Sequence, residues 1–327
     1  MRIFKDASFN FLDGRRKAYV VSASVLSIGI LAMLFNIFSI GSWVNYGVDF
    51  TGGTLVEVRV SDGVTDAEIR AALGGAQAPP VTRFGADNAY TIRAAVEEGV
   101  EVDAVAQRIR QQLDASPDIE WFEVVRTEAV GPQIGEELTR AAGLAILISF
   151  VLTLLYLAVR FEFRFGLASV IATLHDIVIT LGFLALFRVE ISLPTVAAVL
   201  TVIGYSLNDT IVVFDRIREN LQKKGGRRED PVKLINRSIN EVLPRTVLTS
   251  GTTLAVLFSL LILGGAVIRD FTIVLILGVV IGTYSSIYVA SPALVEIQKK
   301  FGTKEEAEKK KRLESRSKKK KESAIPV

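Results

Sequence analysis

Six long apolar blocks in this 327-residue chain restrict its fold more than any other feature. Each has about 20 residues, enough for an α-helix rising ~1.5 Å per residue to cross a hydrocarbon core of ~30 Å. Because that layer offers no water to backbone polar groups, the blocks should be helical. The first block exceeds the ~7–15 apolar residues of a secretory signal, so we interpret it as a retained helix. The predicted membrane helices are residues 19–42, 138–159, 165–187, 191–214, 244–266 and 271–294.

The distribution of charge orients these helices. Residues 1–18 carry five Lys or Arg, residues 215–245 carry nine, and the chain from 296 onward carries twelve. Residues 40–137 instead carry seventeen Asp or Glu against seven Arg. The excess of positive charge predicts a cytoplasmic location for both termini and an external location for the acidic segment. The predicted cytoplasmic pieces are the N-terminus 1–18, a basic loop 215–243 and a Lys-rich tail 295–327. Within the loop, Asp230 before Pro231 predicts the start of a short amphipathic helix that leads into the fifth apolar block. We interpret the basic tail as charge that faces anionic membrane lipid rather than nucleic acid.

The one sizeable segment outside the apolar blocks is residues 43–137, which reads as alternating short strands and helices. The pattern gives a strand at 54–60, a helix after the capping box of Thr65 and Glu68, a hairpin of 80–84 and 89–94 around the turn 85–88, a helix with an apolar stripe from Val102 to Leu113, and a strand at 119–125. That order is typical of a ferredoxin-like α+β domain. The segment has no Gly-rich phosphate loop, paired carboxylates or His cluster, so we expect a binding or mechanical module and not an enzyme.

A carboxylate lies inside the fourth apolar block, in the sequence GYSLNDTIVVF. Asp209 is the only fully ionisable residue between 195 and 214. Tyr205 precedes it by one helical turn, and Asn208 is adjacent to it. Ionisable groups within membrane helices are costly and commonly functional, which favours a functional role over simple hydrogen bonding between helices.

Arg245 stands at the cytoplasmic start of the fifth block. Because consecutive membrane helices are antiparallel, Arg245 and Asp209 should lie at comparable depth, where they could form an ion pair. The alternative is that the Arg245 side chain extends to the membrane interface. A carboxylate that gains and loses a proton beside a counter-charge is what a proton-driven machine requires.

His175 and Asp176 are adjacent titratable groups at mid-depth in the third block, and His175 is the only histidine. They are either members of a proton relay or residues that pack helices together. One His and one Asp are too few ligands for a metal site, and the absence of cysteine excludes thiolate sites and disulfides. We therefore expect no metal and no cofactor. Gly278 and Gly282 in the sixth block should allow close approach of another helix.

Six segments together carry a resemblance to a known family. They are GVDFTGGT (47–54), VGPQIGEEL (130–138), LHD (174–176), GYSLNDTIVVFDRIREN (204–220), NRSINEVLPRTVLTSGTTL (236–254) and GTYSSIYVASP (282–292). Their order and content resemble the SecF family of bacterial protein export, within the resistance–nodulation–division superfamily. The resemblance implies a polytopic α-helical protein of the cytoplasmic membrane, with six transmembrane helices and a ferredoxin-like external domain between helices 1 and 2.

The resemblance also implies function and partners. Family members form a heterodimer with SecD, cooperate with the SecYEG channel and the ATPase SecA, and assist the export of preproteins. Proton flow through the membrane part drives movement of the external domains, so protons are the coupling ion. The proton-coupling carboxylate of the family falls on Asp209, and the arginine linked to it falls on Arg245. The family's motif is matched at His175 and Asp176 without a defined role.

The segment VDFTGG lies where the first helix leaves the membrane. Gly52 and Gly53 permit a tight backbone path into the first strand, and Asp49 precedes them. We interpret Asp49, Gly52 and Gly53 as a junction that transmits helix movement to the external domain. A simple membrane exit followed by a turn is the alternative.

Two other functions remain open at this point. A half-size exporter of lipids or small amphiphiles belongs to the same superfamily, although six helices are only half of the usual transport unit. A purely structural scaffold for the export channel would need no titrating carboxylate. Replacement of Asp209 by Asn separates the scaffold from the proton-driven subunit.

Overall fold

A computed structural model describes residues 8–83, 88–94, 102–223, 229–265 and 268–300. Three predicted features lie wholly or partly outside the described residues. They are the first part of the N-terminus, most of the turn 85–88 and nearly all of the Lys-rich tail. The middle of the predicted basic loop is also outside them.

Six helices in the described part of the chain are long and apolar enough to cross a membrane, as the sequence predicts. They are α1 (Arg15–Ile40), α5 (Pro132–Arg160), α6 (Phe163–Leu186), α7 (Leu193–Gln222), α8 (Pro231–Leu263) and α9 (Arg269–Ser285). The sixth span continues from α9 through a π-helical turn, Ser286–Ala290, to Lys300. The π turn inserts an extra residue into the helical repeat, a feature often found at functional sites.

The predicted basic loop 215–243 is largely helical. It contains the predicted helix that leads into the fifth span, but this helix is continuous with that span, and α7 extends into the other end of the loop. Helix α7 continues past Phe214 to Gln222, and α8 begins at Pro231. The Asp230 side chain accepts a hydrogen bond from the Val232 backbone N–H, and this cap fixes the start of α8. These extensions bury apolar residues that a hydropathy pattern alone assigns to a polar loop. They belong to one buried apolar cluster of the bundle, which includes Phe214, Ile217, Leu234, Ile235 and Ile239.

Residues 53–130 form one domain, which we call the α+β domain. Its elements are β2 (Gly53–Val60), α3 (Asp66–Ala72), a 3-10 turn (Gly75–Gln77), β3 (Val81–Arg83), β4 (Ala89–Ala94), α4 (Val102–Asp114) and β5 (Phe122–Val130). The sheet is antiparallel, with strand order β3-β4-β2-β5. This order confirms the ferredoxin-like domain. Strand β5 begins at Phe122, later than the predicted residue 119. Only Gly131 separates it from α5, which begins at Pro132 instead of the predicted residue 138.

The capping box predicted at the start of α3 is present. The Glu68 backbone N–H donates to the Thr65 hydroxyl, and the Thr65 N–H donates to the Glu68 carboxylate. One face of the sheet packs on α3 and α4 through a buried apolar cluster that includes Val56, Ile69 and Ile109. The domain therefore has a hydrophobic core of its own.

Short elements connect the α+β domain to the helix bundle. They are β1 (Asn45–Tyr46), the single-turn helix α2 (Val48–Thr51) and β6 (Glu190–Ile191). Strands β1 and β6 pair in parallel, so the chain segment after α1 lies against the segment before α7. Residue 191, predicted as the first residue of the fourth helix, therefore belongs to a short strand, and α7 starts at Leu193.

Small residues let the membrane helices approach closely. A Cβ added at Gly182 of α6 would lie 2.7 Å from the Cα of Gly29 in α1. A Cβ at Gly282 of α9 would lie 2.9 Å from the Cβ of Ser206 in α7, and one at Gly278 would overlap Val202. The pair Gly278 and Gly282 thus serves helix packing, and it brings the middle of α9 against the middle of α7.

Candidate functional site

Asp209 is buried between three helices and is held by hydroxyl groups. The Thr246 Oγ1 of α8 donates to its Oδ1 at 3.1 Å. The Ser286 Oγ, at the start of the π turn, donates to its Oδ2 at 2.5 Å. Only 6% of the Asp209 surface is exposed. Because a hydroxyl can accept as well as donate, the same two partners can serve the ionised and the protonated carboxyl.

Asp176 is a second buried carboxylate and joins three helices. Its Oδ2 accepts hydrogen bonds from Ser285 at 2.6 Å and from Ser206 of α7. The other oxygen lies 2.8 Å from the Nδ1 of His175, its neighbour on α6. The His175 ring stacks against Tyr284, with 6.4 Å between ring centroids. The His175–Asp176 pair therefore ties α6 to α7 and α9.

Adjacent serines in the sixth span contact the two carboxylates. Ser285 ends α9 and donates to Asp176, whereas Ser286 begins the π turn and donates to Asp209. An ordinary α-helix points consecutive side chains about 100° apart, so adjacent residues reach different neighbours. Neither serine is among the predicted site residues. A polar pair inside an apolar span was the signal that marked them.

The predicted ion pair between Arg245 and Asp209 is not formed among the described residues. The Arg245 side chain is exposed, and the hydrogen-bond partners of Asp209 are the hydroxyls of Thr246 and Ser286. The helical rotation of about 100° per residue points Thr246 directly at Asp209, whereas the adjacent Arg245 interacts with the carboxylate through its charge and without a hydrogen bond.

Tyr205 and Asn208, the polar neighbours of Asp209 named from the sequence, lie in different environments. Tyr205 donates its hydroxyl to Ser250 of α8 at 3.3 Å, and Ser250 lies 2.7 Å from the Thr283 hydroxyl of α9. Asn208 is exposed and does not join this group. Tyr205 thus adds a second polar contact across α7, α8 and α9, one turn from Asp209.

Asp49 and the two glycines lie at the junction between the α+β domain and the bundle. The Asp49 carboxylate accepts the Leu193 backbone N–H at 2.8 Å, at the N-terminus of α7. Gly52 and Gly53 have φ angles of 69° and 122°, which residues with a side chain adopt rarely. A Cβ at Gly53 would also lie 2.8 Å from the carbonyl oxygen of Ala94. Asp49 therefore connects this junction to the helix that carries Asp209.

An ion pair between Arg93 of β4 and Glu190 of β6 lies at the same junction. The Arg93 Nη1 also donates to the Asn45 Oδ1 at 2.9 Å, and Asn45 in turn donates to the Arg188 carbonyl at 3.0 Å. Burial raises the pKa of the Glu190 carboxyl, and the Arg93 guanidinium opposes that rise. The described residues contain no group of three or more potential metal ligands.

Comparisons with known proteins connect these features to a family. A family model described as protein export membrane protein SecD/SecF, C-terminal, matches residues 111–300. A second, described as the SecD/SecF GG motif, matches residues 37–64. The protein translocase subunit SecF of Gemmatimonas aurantiaca is 45% identical over 305 residues, which cover 91% of this chain and 90% of that protein. Its counterpart in Vibrio alginolyticus is 43% identical over 294 residues, 89% of this chain and 90% of that protein.

A solved structure agrees with the fold. The crystal structure of SecDF from Thermus thermophilus, described as a translocon-associated membrane protein, matches with a TM-score of 0.77 and 39% sequence identity. The match covers 91% of this chain, but this chain spans only 40% of the SecDF chain. The six membrane helices, the inserted α+β domain and the long matches to translocase subunits agree, and the chain belongs to the SecF family of protein translocase subunits.

Proposed function

We propose that this protein is the SecF subunit of a SecD–SecF complex that uses the proton-motive force to promote preprotein export. The complex lies in the cytoplasmic membrane of a bacterium, with both termini of this chain in the cytoplasm and the α+β domain outside. The positive-inside distribution of Lys and Arg supports this orientation. Protons are the coupling ion, and the chain is not itself an enzyme.

The observation that carries the proposal is the environment of Asp209. The carboxyl is buried at the meeting point of three helices, with hydroxyl partners that suit either charge state. Ionisation of the carboxyl at this position changes the free energy of packing the three helices together, because a charge inside the membrane is costly. Moving one charge through a potential of 100 mV is worth about 2.3 kcal/mol, enough to shift a helix-packing equilibrium substantially.

Arg245 has a conditional role in this proposal. Its side chain is exposed, but it is adjacent in the chain to Thr246, which donates to Asp209. A rotation of α8 that withdraws Thr246 brings Arg245 toward the carboxylate. Arg245 then pairs with ionised Asp209 in one state of the cycle and is released when the acid is protonated.

The family and the partial match to the longer SecDF chain support the proposed partners. The match to SecDF leaves 60% of that longer chain uncovered, and SecD supplies the corresponding part. Three helices, α1, α5 and α8, expose large apolar side chains over much of their length, surfaces suited to lipid and to SecD. The complex acts with the SecYEG channel and SecA on preproteins, and the basic connections face anionic lipid.

The test replaces Asp209 by Asn, which keeps the volume and removes the ionisable group. The matched control is Glu219→Gln on the same helix, because Glu219 is exposed and paired only on the surface. Both variants are assembled with SecD in inverted membrane vesicles, and preprotein translocation is measured with and without a proton gradient. We expect Asp209→Asn to lose the gradient-dependent increase, whereas Glu219→Gln keeps it.

A full gradient-dependent increase in the Asp209→Asn variant, with normal assembly, would contradict proton coupling and favour the structural scaffold. Vesicles with SecA and ATP but no gradient provide the baseline, since both variants should translocate equally there.

A further inference from the structure

The α+β domain is joined to the bundle by two chain connections that lie side by side. The chain enters β2 through Gly52 and Gly53 and leaves β5 through Gly131. Gly53 and Val130 are paired neighbours in the sheet, so both connections emerge at one place. Adjacent connections of this kind allow a rigid domain to pivot about them, provided that nothing else holds it.

No buried apolar cluster among the described residues crosses from the α+β domain to the bundle. The cluster under α3 and α4 contains only residues of the domain, and the other two clusters contain none of them. The sheet face opposite the helices combines the buried side chains of Leu55 and Thr91 with charged residues. Glu57 and Arg126 are cross-strand partners on β2 and β5, and Glu128 pairs with Arg126. An interface built from ionic contacts separates at lower cost than an apolar one.

One ionic contact stands out, because it joins the domain directly to the segment that leads into α7. Arg93 is on β4, on the side of β2 away from β5 and the exit connection. Its guanidinium pairs with Glu190, and the same group donates to Asn45. Side-chain exposures of 25% for Arg93 and 17% for Glu190 show that the pair is largely shielded from water.

The backbone around Glu190 is firmly placed. Glu190 pairs with Asn45 in the short parallel sheet, and the Gly47 N–H donates to the Ile191 carbonyl at 2.8 Å. A Cβ at Gly47 would lie 2.5 Å from the Glu190 Oε1 and 3.1 Å from the Ile191 carbonyl oxygen, so glycine leaves room for the carboxylate in its present position. Glu190 lies three residues before Leu193, the first residue of α7. A displacement of α7 therefore moves Glu190 relative to Arg93.

We propose that Arg93 and Glu190 form a releasable latch, which holds the α+β domain in one orientation on the bundle and opens when α7 moves. They act as positioning residues: neither touches the transported protein, and each sets the position of the domain through the other. The link to α7 movement rests on the proposed proton-driven function, but the holding role of the latch does not.

The test measures the domain's orientation in the full chain. The chain has no cysteine, so two introduced cysteines can carry spin labels without background. One label replaces the exposed Ala67 of α3 and the other the exposed Leu186 at the end of α6. A second label pair at Ala67 and Asp114 lies within the α+β domain. Distance distributions are recorded by pulsed electron spin resonance in nanodiscs that contain the chain and SecD.

We expect Arg93→Gln and Glu190→Gln each to broaden or shift the distribution between Ala67 and Leu186. The double variant should change it no further than either single variant, because two partners in one contact are not additive. Arg59→Gln is the matched control, since Arg59 pairs with Glu123 on the exposed part of the same sheet. That control and the label pair within the domain should be unchanged.

An unchanged distribution between Ala67 and Leu186 in both single variants would overturn the latch. Broadening of the distance distribution between the labels at Ala67 and Asp114 would also overturn it, because Arg93 and Glu190 would then support the domain's own fold. The Asp209→Asn variant separates the two proposals. If the Arg93 and Glu190 variants leave the distance distribution unchanged, the latch is contradicted, but a translocation defect in Asp209→Asn still supports proton coupling. Conversely, normal translocation by Asp209→Asn contradicts proton coupling but leaves the measured holding role in place.

Discussion

At the scale of single residues, Asp176 and Asp209 are buried carboxylates that are satisfied mainly by serine and threonine. Ser206 and Ser285 serve Asp176, and Thr246 and Ser286 serve Asp209. Hydroxyl partners compensate desolvation without fixing the charge state, as a permanent cation would. At Asp209 this arrangement agrees with the proposed proton coupling.

Removal of one hydroxyl should alter Asp209 selectively. Thr246→Val keeps the side-chain shape but removes the hydrogen bond to the carboxylate. We expect the pH at which gradient-driven translocation is half-maximal to shift measurably, because one donor to an ionised acid is worth about 1.5–3 kcal/mol.

Thr249→Val is the control for that variant, since Thr249 donates only to carbonyl oxygens of its own helix. Its pH profile should overlay that of the wild type. Equal shifts in the two variants would show that a general change in α8, and not contact with Asp209, sets the profile.

Glu57 supplies a second prediction at this scale, outside the membrane helices. It is 2% exposed on β2, and burial raises the pKa of its carboxyl. Arg126 and Arg59 oppose that rise, whereas Asp270 and Glu128 add to it. Above the raised pKa the ionised form destabilises the folded domain. The folded domain therefore regains stability as the pH falls from above this raised pKa to the pKa that Glu57 has in the unfolded chain.

Glu57→Gln should therefore stabilise the α+β domain at neutral pH, by on the order of 1 kcal/mol. The advantage should disappear in mildly acid solution, where the wild-type residue is protonated. Hydrogen exchange of the β2 amides, corrected for the intrinsic rate at each pH, measures the difference. A variant that is less stable than wild type at neutral pH would show that pairing with Arg126 outweighs the burial of Glu57.

At the scale of elements, glycine contacts set the spacing of the helices. Gly29 and Gly182 place the backbones of α1 and α6 in direct contact. Gly182→Ala should therefore destabilise the bundle by about 1–3 kcal/mol, as overpacking of a tight contact does. Gly251→Ala on α8 is the control, because nothing lies within 4 Å of its added Cβ. Thermal unfolding in detergent compares them, and equal melting temperatures would contradict the importance of the α1–α6 contact.

The helices and strands are predicted from the sequence better than the connections and contacts between them. The six helices and the α+β domain follow from apolar length and from alternating patterns, which depend on local residues. Asp230 and Pro231 predict a helix around Leu234 and Ile239, but its continuity with the fifth span is not predictable in this way, because its apolar face is buried by residues distant in the chain. The failed pairing of Arg245 with Asp209 has a similar origin. Depth in the membrane follows from sequence position, but the rotation of α8 about its axis depends on packing.

At the scale of the whole molecule, the apolar cores are separate and the boundary between them is ionic. The bundle packs around its own clusters and the α+β domain around another. The described contacts between the two bodies include two chain connections, the Asp49 cap on α7 and the Arg93–Glu190 latch. Asp270 at the start of α9 also interacts electrostatically with Glu57, Arg126 and Arg93 of the sheet. Sequence reasoning located Asp49 and the glycines of this boundary but gave no signal for Arg93 and Glu190, whose proximity depends on the docking of the domain.

The single residue between β5 and α5 has a mechanical consequence. Helix α5 has 29 residues, a length of about 43 Å. Its far end is anchored by Leu157, which is 1% exposed, and by the ion pair of Arg160 with Asp215 at 2.6 Å, whereas most of its shaft is exposed. A tilt of about 5° around that anchor would swing the end at Gly131 by about 4 Å. Because Gly135 and Thr139 of α5 lie against the Phe50 carbonyl, such a tilt would also displace the short helix α2 at the base of the α+β domain.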